Sequence, residues 1–525
     1  MRGFLLVLDG FEFQQLLPFY AALVLAGTSV FLLRYKPKIR QVPIFFLTGL
    51  CTAYFIGTAD SFLNIWDEQF HALVAKNMMD NPLKPVLYAD PVLDYDFKRW
   101  DKNHVWLHKQ PLFLWQMMLS IALFGDTVFG VRFPSMIMFA FCAVFTYRMG
   151  TLFVNRRVGA AAGLFFCFSF FPLQVLAGRY ATDHNDIAFL FYVSATLWTW
   201  AEYLHSGKKI FLYLLAVFAA GAVLTKWLTG LLIYGIWTVS EFVKHPIKAF
   251  FYHKVPLILK TFAGTAVLVI PWQVYTLIRF PREAKYEMSF NGLHFFEAVE
   301  GHGGDSMYHI DKMELIYTLG PQSGIILLLG FAVLLVRAGN RSYVAGLSFA
   351  AVAVYGFFTL AATKMPCFTL PLFPIGMISL SALIVCPLEF VASKKPALRK
   401  FVPATVIIAT LYISFKIFKH DEVRRRHTDY EHDYNFNYPA QMKQMELINE
   451  VKKQLNSDQP YVLFNTDVRY AGYVSVMFFT SITSYGEMPS QEDLKNVQSQ
   501  GYIPVICVDS VPDFKRPANV RILEY

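Results

Sequence analysis

The chain has 525 residues, of which 55% are hydrophobic, 17% aromatic and only 16% charged, with a formal net charge of +9 and a mean hydropathy of +0.39. A soluble protein of this length carries roughly a quarter charged residues, so the composition excludes an ordinary soluble enzyme and predicts a polytopic α-helical membrane protein. The positive balance is not read as nucleic-acid binding, because in a membrane protein the position of a charge matters more than the sum.

Apolar runs near 15–34, 43–62, 131–149 and 158–176, with others after them, reach or approach the ~20 residues that cross a bilayer. The first run lacks the pattern of a cleavable signal, since Arg2 is the only early basic residue and Asp9 and Glu12 follow it. After the second run comes WDEQFHALVAKNM (66–78), where Asp67 and Glu68 stand at the mouth of a membrane helix. Two acids there fit either the positive end of a helix dipole or a catalytic carboxylate at the bilayer surface. HALVAKNMM then continues as an amphipathic helix along the membrane. The run QPLFLWQMMLSIALFG (110–125) is short for a span and predicts a juxtamembrane or re-entrant helix.

Basic clusters punctuate the spans: RYKPKIR (34–40), RMGTLFVNRR (148–157), SGKK (206–209), KHPIKAFFYHK (244–254), RAGNR (337–341) and SKKPALRK (393–400). If all of them face the cytoplasm, then Asp67 and Glu68, GRYATDHND (178–186), segment 279–313, ATKMP (362–366) and the C-terminal tail face outward. This layout implies about twelve spanning helices with both termini outside, twenty-odd residues each. Beyond the last span, at 401–417, the character changes. YPAQMKQMELINEVKKQL (438–455) predicts an amphipathic helix with Pro439 in its first turn. YVLFN (461–465) and IPVICV (503–508) predict buried strands, and SQEDLKNVQSQ (490–500) a Ser-capped helix. The expected division is a membrane domain over 1–417 and a small soluble α/β domain over 427–525.

The six cysteines are scattered without CxxC or zinc-type spacing, and no phosphate-loop, HExxH, GxSxG or GxGxxG signature occurs. Ionisable groups are scarce inside the spans and gathered in the outward loops, unlike the midplane charges of ion-coupled transporters. Beside Asp67 and Glu68, the outward loops carry Asp183 and Asp186 next to a span. They also carry His108 and Lys109 in WLHKQPLFLW, His302 in EGHGGDS and Lys364 in TKMPCFTLP. Each cation alone also fits snorkelling or head-group contact, and Lys226 in LTKWLTG fits packing or capping equally well. DYDFKRWDK (94–102) lacks the Gly and distal Glu of a calcium loop and reads as solvated. Taken together, a carboxylate to accept a proton and cations to neutralise a departing phosphate suit transfer of a group from a lipid phosphate. The rival readings are a transporter or flippase of lipid-linked sugars, which would need charges deep in the spans, and a non-catalytic envelope scaffold.

The order DE…M (67–78), HKxPLxxW (108–115), VRFPS (131–135), RRVG (156–159), a loop Asp before a span, LTKxxxG (224–230) and KMPxxxLPLFP (364–374) resembles the GT-C superfamily of membrane glycosyltransferases. Within it the likeness, over about residues 60–380, is to the lipid A aminoarabinose transferases and protein O-mannosyltransferases. The resemblance implies inverting sugar transfer from a polyprenyl phosphate to lipid A, another glycolipid or a protein. It places the site on the periplasmic face of a bacterial inner membrane, with juxtamembrane helices in the first outer loop. It implies that Asp67 is catalytic, with Asp186 as second acid and Asp183 as its alternative. Lys109, His302 and Lys364 would bind the donor phosphate, and Glu68 and His108 are secondary candidates. Three positions depart from the pattern: Phe70 replaces an Arg, His108 replaces a Glu, and Phe368 replaces a Tyr. That Glu and the loop histidine can hold zinc in the family. With His108 in its place no metal ligand set is assigned, and His108 with His302 is the pair a divalent ion would take.

Overall fold

The structure is a computed structural model that describes residues 11–35, 41–180, 183–398, 400–426, 431–432, 436–455, 459–509 and 520–525. Arg2 and Asp9, the basic stretch 36–40 and the opening residues 427–430 of the expected C-terminal domain lie outside them.

Helices α1 (Phe13–Tyr35) and α2 (Val42–Gly57) are followed by α3 (Asp67–Asn77), α4 (Leu112–Phe124), α5 (Val128–Phe153), α6 (Arg156–Cys167), α7 (Phe170–Leu176) and α8 (His184–Ser206). Then come α9 (Ile210–Lys226), α10 (Leu232–Lys244), α11 (Val255–Arg279), α12 (Pro281–Phe296), α13 (Ser323–Arg337), α14 (Arg341–Leu360), α15 (Phe373–Lys394) and α16 (Val402–Phe418). Among the described residues seven helices are long and apolar enough to cross a membrane, or eight if α6 and α7, bent by 46°, form one span. The chain is a multi-pass membrane protein. Helices α2, α4 and α13 are apolar but shorter; the 13 residues of α4 measure about 20 Å, well under the ~30 Å of a bilayer core.

Short polar caps set where these helices start. Thr127 accepts from Gly130 N before α5, Asn155 accepts from Arg157 N and Val158 N before α6, and Asn340 accepts from Ser342 N before α14. Each cap satisfies N–H groups that the first turn leaves open. Small residues then let helices approach. A Cβ on Gly159 would lie 2.4 Å from the Tyr147 carbonyl oxygen, so α6 rests backbone against backbone on α5, as membrane helices do when small residues face each other.

The helices run between two chemically different ends. At one end the basic turns converge: Arg148 meets Glu202 at 2.5 Å, Arg157 meets Glu389 at 2.8 Å and Lys254 meets Glu241 at 3.2 Å. At the other end lie α3, α4, α12 and the loop acids Asp67, Glu68, Asp183 and Asp186.

The C-terminal residues form a four-stranded, all-parallel sheet. Its strands are β1 (Tyr461–Phe464), β2 (Thr483–Ser484), β3 (Ile503–Val508) and β4 (Arg521–Glu524), in the order β2-β1-β3-β4. Leu463, Val505, Cys507 and Leu523 point to one face, under α17 (Tyr438–Gln454) and α18 (Gly472–Thr480). Val462, Phe464, Ile506 and Val508 point to the other, under α19 (Gln491–Ser499) and Val92 of the segment between α3 and α4. Coverage on both faces explains why these strands are continuous apolar runs. Ser490 caps α19 in a capping box with Asp493.

Candidate active site

The turn between α2 and α3 is built around two buried ion pairs. Arg179 Nε and Nη2 donate to the two oxygens of Asp60 at 2.9 and 3.0 Å. Arg132, near the start of α5, donates to both oxygens of Glu68 at 2.6 and 2.9 Å, and to the carbonyls of Gly57 and Phe62 at 3.1 Å each. Gly178, at φ +66°, leaves room for the Glu68 carboxylate; a Cβ there would fall 2.5 Å from it. Glu68, a secondary catalytic candidate from sequence, is thus committed to Arg132 and holds the turn from which Asp67 projects.

Helix α3 differs from expectation. It was expected as an amphipathic helix along the membrane, yet Glu68 through Ala75 are all buried. One side packs on α4 and the other on α18 of the C-terminal region. Gln69 Oε1 accepts from Ser475 Oγ at 2.9 Å, and Lys76 Nζ donates to the Phe478 carbonyl at 2.5 Å. A second covering layer, invisible to helical periodicity, removes the need for a polar face.

Asp67 and Lys109 come together: Lys109 Nζ lies 3.7 Å from Asp67 Oδ2, both side chains partly open to solvent. Burial works against the Lys109 charge, but Asp67, Glu300, Asp186 and Asp183 outweigh it and hold the ammonium above the ordinary lysine range. Both acids before and within the first turn of α8 join them. Asp183 caps the helix, accepting from Asn185 N at 3.1 Å, and its Oδ1 faces His71 Nδ1 at 2.8 Å. Burial raises the Asp183 carboxyl, and the nearby imidazoles of His71 and His184 with the Asn185 N–H more than offset this, leaving it below the usual carboxylate range. Asp186 Oδ1 accepts from Lys226 Nζ at 2.5 Å, and that ammonium stands 5.4 Å from the Phe368 ring centroid. Lys226, read from sequence as packing or capping, therefore enters the site. Its position follows from Trp227, whose φ of 59° breaks α9 just after the lysine.

A further histidine marks where the cations gather. His294, on α12, is held down to about 4 by burial and by the charges of Lys109, His108, Lys226 and His302. Sequence reasoning missed it because it lies in the last turn of α12 without a recognisable neighbour pattern. His108 instead pairs with Glu287 Oε2 at 3.2 Å and stacks on Trp100, ring centroids 5.1 Å apart. Lys364, expected at the donor phosphate, lies beside His302, whose carbonyl accepts from its backbone N–H at 2.9 Å, and its ammonium donates to the carbonyls of Phe358, Thr359 and Ala361 at 3.2, 2.9 and 2.7 Å. It caps the C-terminus of α14, where a cation meets the negative end of the dipole.

Among the described residues, the group that could hold a metal ion is Asp67, His71 and Asp183, whose ligand atoms lie within 4.8 Å of one another. His71 Nε2 and Asp183 Oδ2 are buried without another hydrogen-bond partner. This donor set is separate from the His108–His302 pair considered from sequence.

The neutral histidines outside the spans give a pH dependence. His104, His294 and His309 are each held to about 4, against an ordinary 6.5, with burial the first cause. Because the folded values are depressed, the unfolded chain takes up protons first. The stability these imidazoles contribute is present above pH 6.5 and is lost as pH falls toward 4. One proton taken up on unfolding gives a slope of about 1.4 kcal/mol per pH unit for buried His309, and less for His104 and His294, which solvent partly screens. The Tm of the purified protein should fall between pH 6.5 and 4.5, and His309→Gln should flatten that fall. An unchanged slope in the variant refutes the assignment.

Apolar helices gathered under a ledge of acids and cations, with a small sheet packed beside it, define a multi-pass membrane protein with the fold of the GT-C glycosyltransferases. A model of the dolichyl-phosphate-mannose-protein mannosyltransferase family matches residues 108–275. An uncharacterized protein of Aquifex aeolicus (strain VF5) is 30% identical over 169 residues, and the match spans 32% of this chain and 31% of that protein's length. Among solved structures, ArnT from Cupriavidus metallidurans bound to undecaprenyl phosphate superposes with a TM-score of 0.63, at 14% identity, over 88% of this chain and 89% of that one. The archaeal oligosaccharyltransferase AglB from Archaeoglobus fulgidus, in complex with an inhibitory peptide and a dolichol-phosphate, gives 0.56 at 10% identity over 85% and 64%.

Proposed function

We propose that the chain transfers a sugar from a polyprenyl-phosphate donor to an acceptor hydroxyl, with inversion, at the periplasmic face of a bacterial inner membrane. The observation that carries this reading is the ion pair of Asp67 with Lys109 on a partly solvated ledge at the ends of membrane helices. Asp67 accepts the acceptor's hydroxyl proton while that oxygen attacks the anomeric carbon. The carbon–oxygen bond to phosphate breaks, and polyprenyl phosphate leaves with the electron pair. Attack from the face opposite the phosphate inverts the centre. Lys109 and Lys226 neutralise the departing charge, with His302 beside them, while Asp186 positions Lys226. Asp183 fixes His71 next to Asp67.

Supporting the donor class, the ArnT structure holds undecaprenyl phosphate and the AglB structure a dolichol-phosphate. Supporting the sidedness, the basic turns lie at the other end of the helices, as cytoplasmic loops would. Residues 427–525 would then form a small periplasmic domain. Lys109→Gln is expected to weaken binding of undecaprenyl phosphate about 10–100-fold, the worth of a hydrogen bond to a charged group. Mass spectrometry of cells lacking the chain should find polyprenyl-phosphate sugars accumulating. Movement of an intact lipid-linked sugar across the bilayer by the purified protein, with no bond cleaved, would refute the reading in favour of a flippase.

A further inference from the structure

A row of rings begins at the residue next to Asp67. Trp66, the residue before Asp67, has its ring centroid 4.4 Å from that of Tyr470 and 6.5 Å from that of Trp100. Trp100 in turn stacks on His108. One side of the Tyr470 ring rests on Trp66, and the residue stays 50% exposed. Tyr470 comes from the C-terminal region, immediately before α18, so two distant parts of the chain build this row.

The backbone is held in an unfavourable shape to place these rings. Trp66 has φ 65°, ψ −134°, and Ala471, next to Tyr470, has φ 52°. Such conformations in non-glycine residues are costly and persist where the surroundings over-determine them. Here the surroundings do: Arg469 Nη2 donates to the Leu63 carbonyl at 3.1 Å and to Ser475 Oγ at 3.0 Å.

Polar groups rim the rings. Glu300 Oε1 accepts from Trp100 Nε1 at 2.6 Å, and Arg99 meets Asp101 at 2.8 Å. Asp101, Arg99 and Glu300 are also among the charges acting on Tyr470. The charges acting on His294 are Lys109, His108, Lys226 and His302. These two sets share no member, while Glu300 acts on both Tyr470 and Lys109. Glu300 thus joins the rim of the aromatic row to Lys109, and the stacking of Trp100 on His108 joins the row to the cations.

We propose that Tyr470 and Trp66 form the acceptor subsite and stack a sugar ring, so that the acceptor is a saccharide-bearing molecule. This rests on the glycosyltransferase reading, in which the donor's phosphate takes the cations and leaves the aromatic flank to the acceptor. A pyranose offers a C–H face that packs on an aromatic ring and equatorial hydroxyls that reach carboxylates and guanidinium at the rim. Tyr and Trp supply such contact with little loss of side-chain freedom. An extended peptide would need a row of backbone partners or an apolar pocket, and this flank offers rings bordered by charges.

The test uses the full-length protein in nanodiscs with two soluble probes, N,N′-diacetylchitobiose and a Ser/Thr-rich decapeptide, and with undecaprenyl phosphate measured separately. The disaccharide should bind to the wild type and more weakly by about tenfold, or about 1.4 kcal/mol, to Tyr470→Ala. Tyr470→Trp, which keeps an aromatic face, should retain binding, and undecaprenyl phosphate should bind all three alike. Unchanged disaccharide binding by Tyr470→Ala overturns the proposal, and so does a wild type that takes the peptide and not the disaccharide. Should undecaprenyl phosphate bind none of the forms, the donor reading falls instead, and the saccharide measurement still decides this flank.

Discussion

Asp67→Asn is expected to reduce sugar transfer by about 10²–10⁴-fold, the usual worth of a positioned general base, while leaving Tm nearly unchanged. The two effects separate because Asn keeps the shape and loses only the proton-accepting charge. The ion pair with Lys109, at 3.7 Å and partly open to solvent, contributes at most about 1 kcal/mol to stability. Undecaprenyl phosphate binding should persist, since Lys109, Lys226 and His302 remain. A variant that transfers sugar at the full rate would move the proton-accepting role to another carboxylate, with Asp183 next in line.

Arg132→Leu should have the largest effect on folding. Both partners of the Arg132–Glu68 pair are almost completely buried, at 1% and 2% exposure. Removing one partner of a buried pair leaves the other charge uncompensated, at about 3–5 kcal/mol. Arg132 also ties down the carbonyls of Gly57 and Phe62, so the loss should loosen the turn that carries Asp67 and lower activity together with Tm. Adding Glu68→Leu should recover part of the stability, because the uncompensated carboxylate is gone. If the single variant melts like the wild type, this pair does not hold the turn.

The sequence made the membrane class legible through composition, and the helices through apolar runs bounded by basic turns. The C-terminal strands were legible as well, since YVLF and IPVICV are apolar without alternation and fold as a sheet covered on both faces. Helix α18 was not: GYVSVMFFT has no capping side chain, and its start is set by Ala471 at positive φ. Asp67 and Lys109 stood out because each sits at the junction of an apolar run and a polar loop, and the fold brings them within 3.7 Å. Lys226 and His294 did not, because their meaning lies in what approaches them. Nothing near Lys226 in sequence reveals Asp186, forty residues earlier. Lys364 stood out by its motif, but the sequence does not reveal that its ammonium turns back onto three carbonyls at the end of the preceding helix.

Helix α3 finds its partners far along the chain. Leu63, Gln69 and Lys76 are bonded to residues 402 to 406 positions later. At 5–20 residues per second a ribosome needs about 20–80 s to make that stretch. During this interval the nascent protein already has its first membrane anchors and the acid at position 67, yet lacks the wall against which that helix rests. On the proposed function, the packing that surrounds Asp67 is complete only once residues 402 to 406 positions further along have been made and have folded against α3.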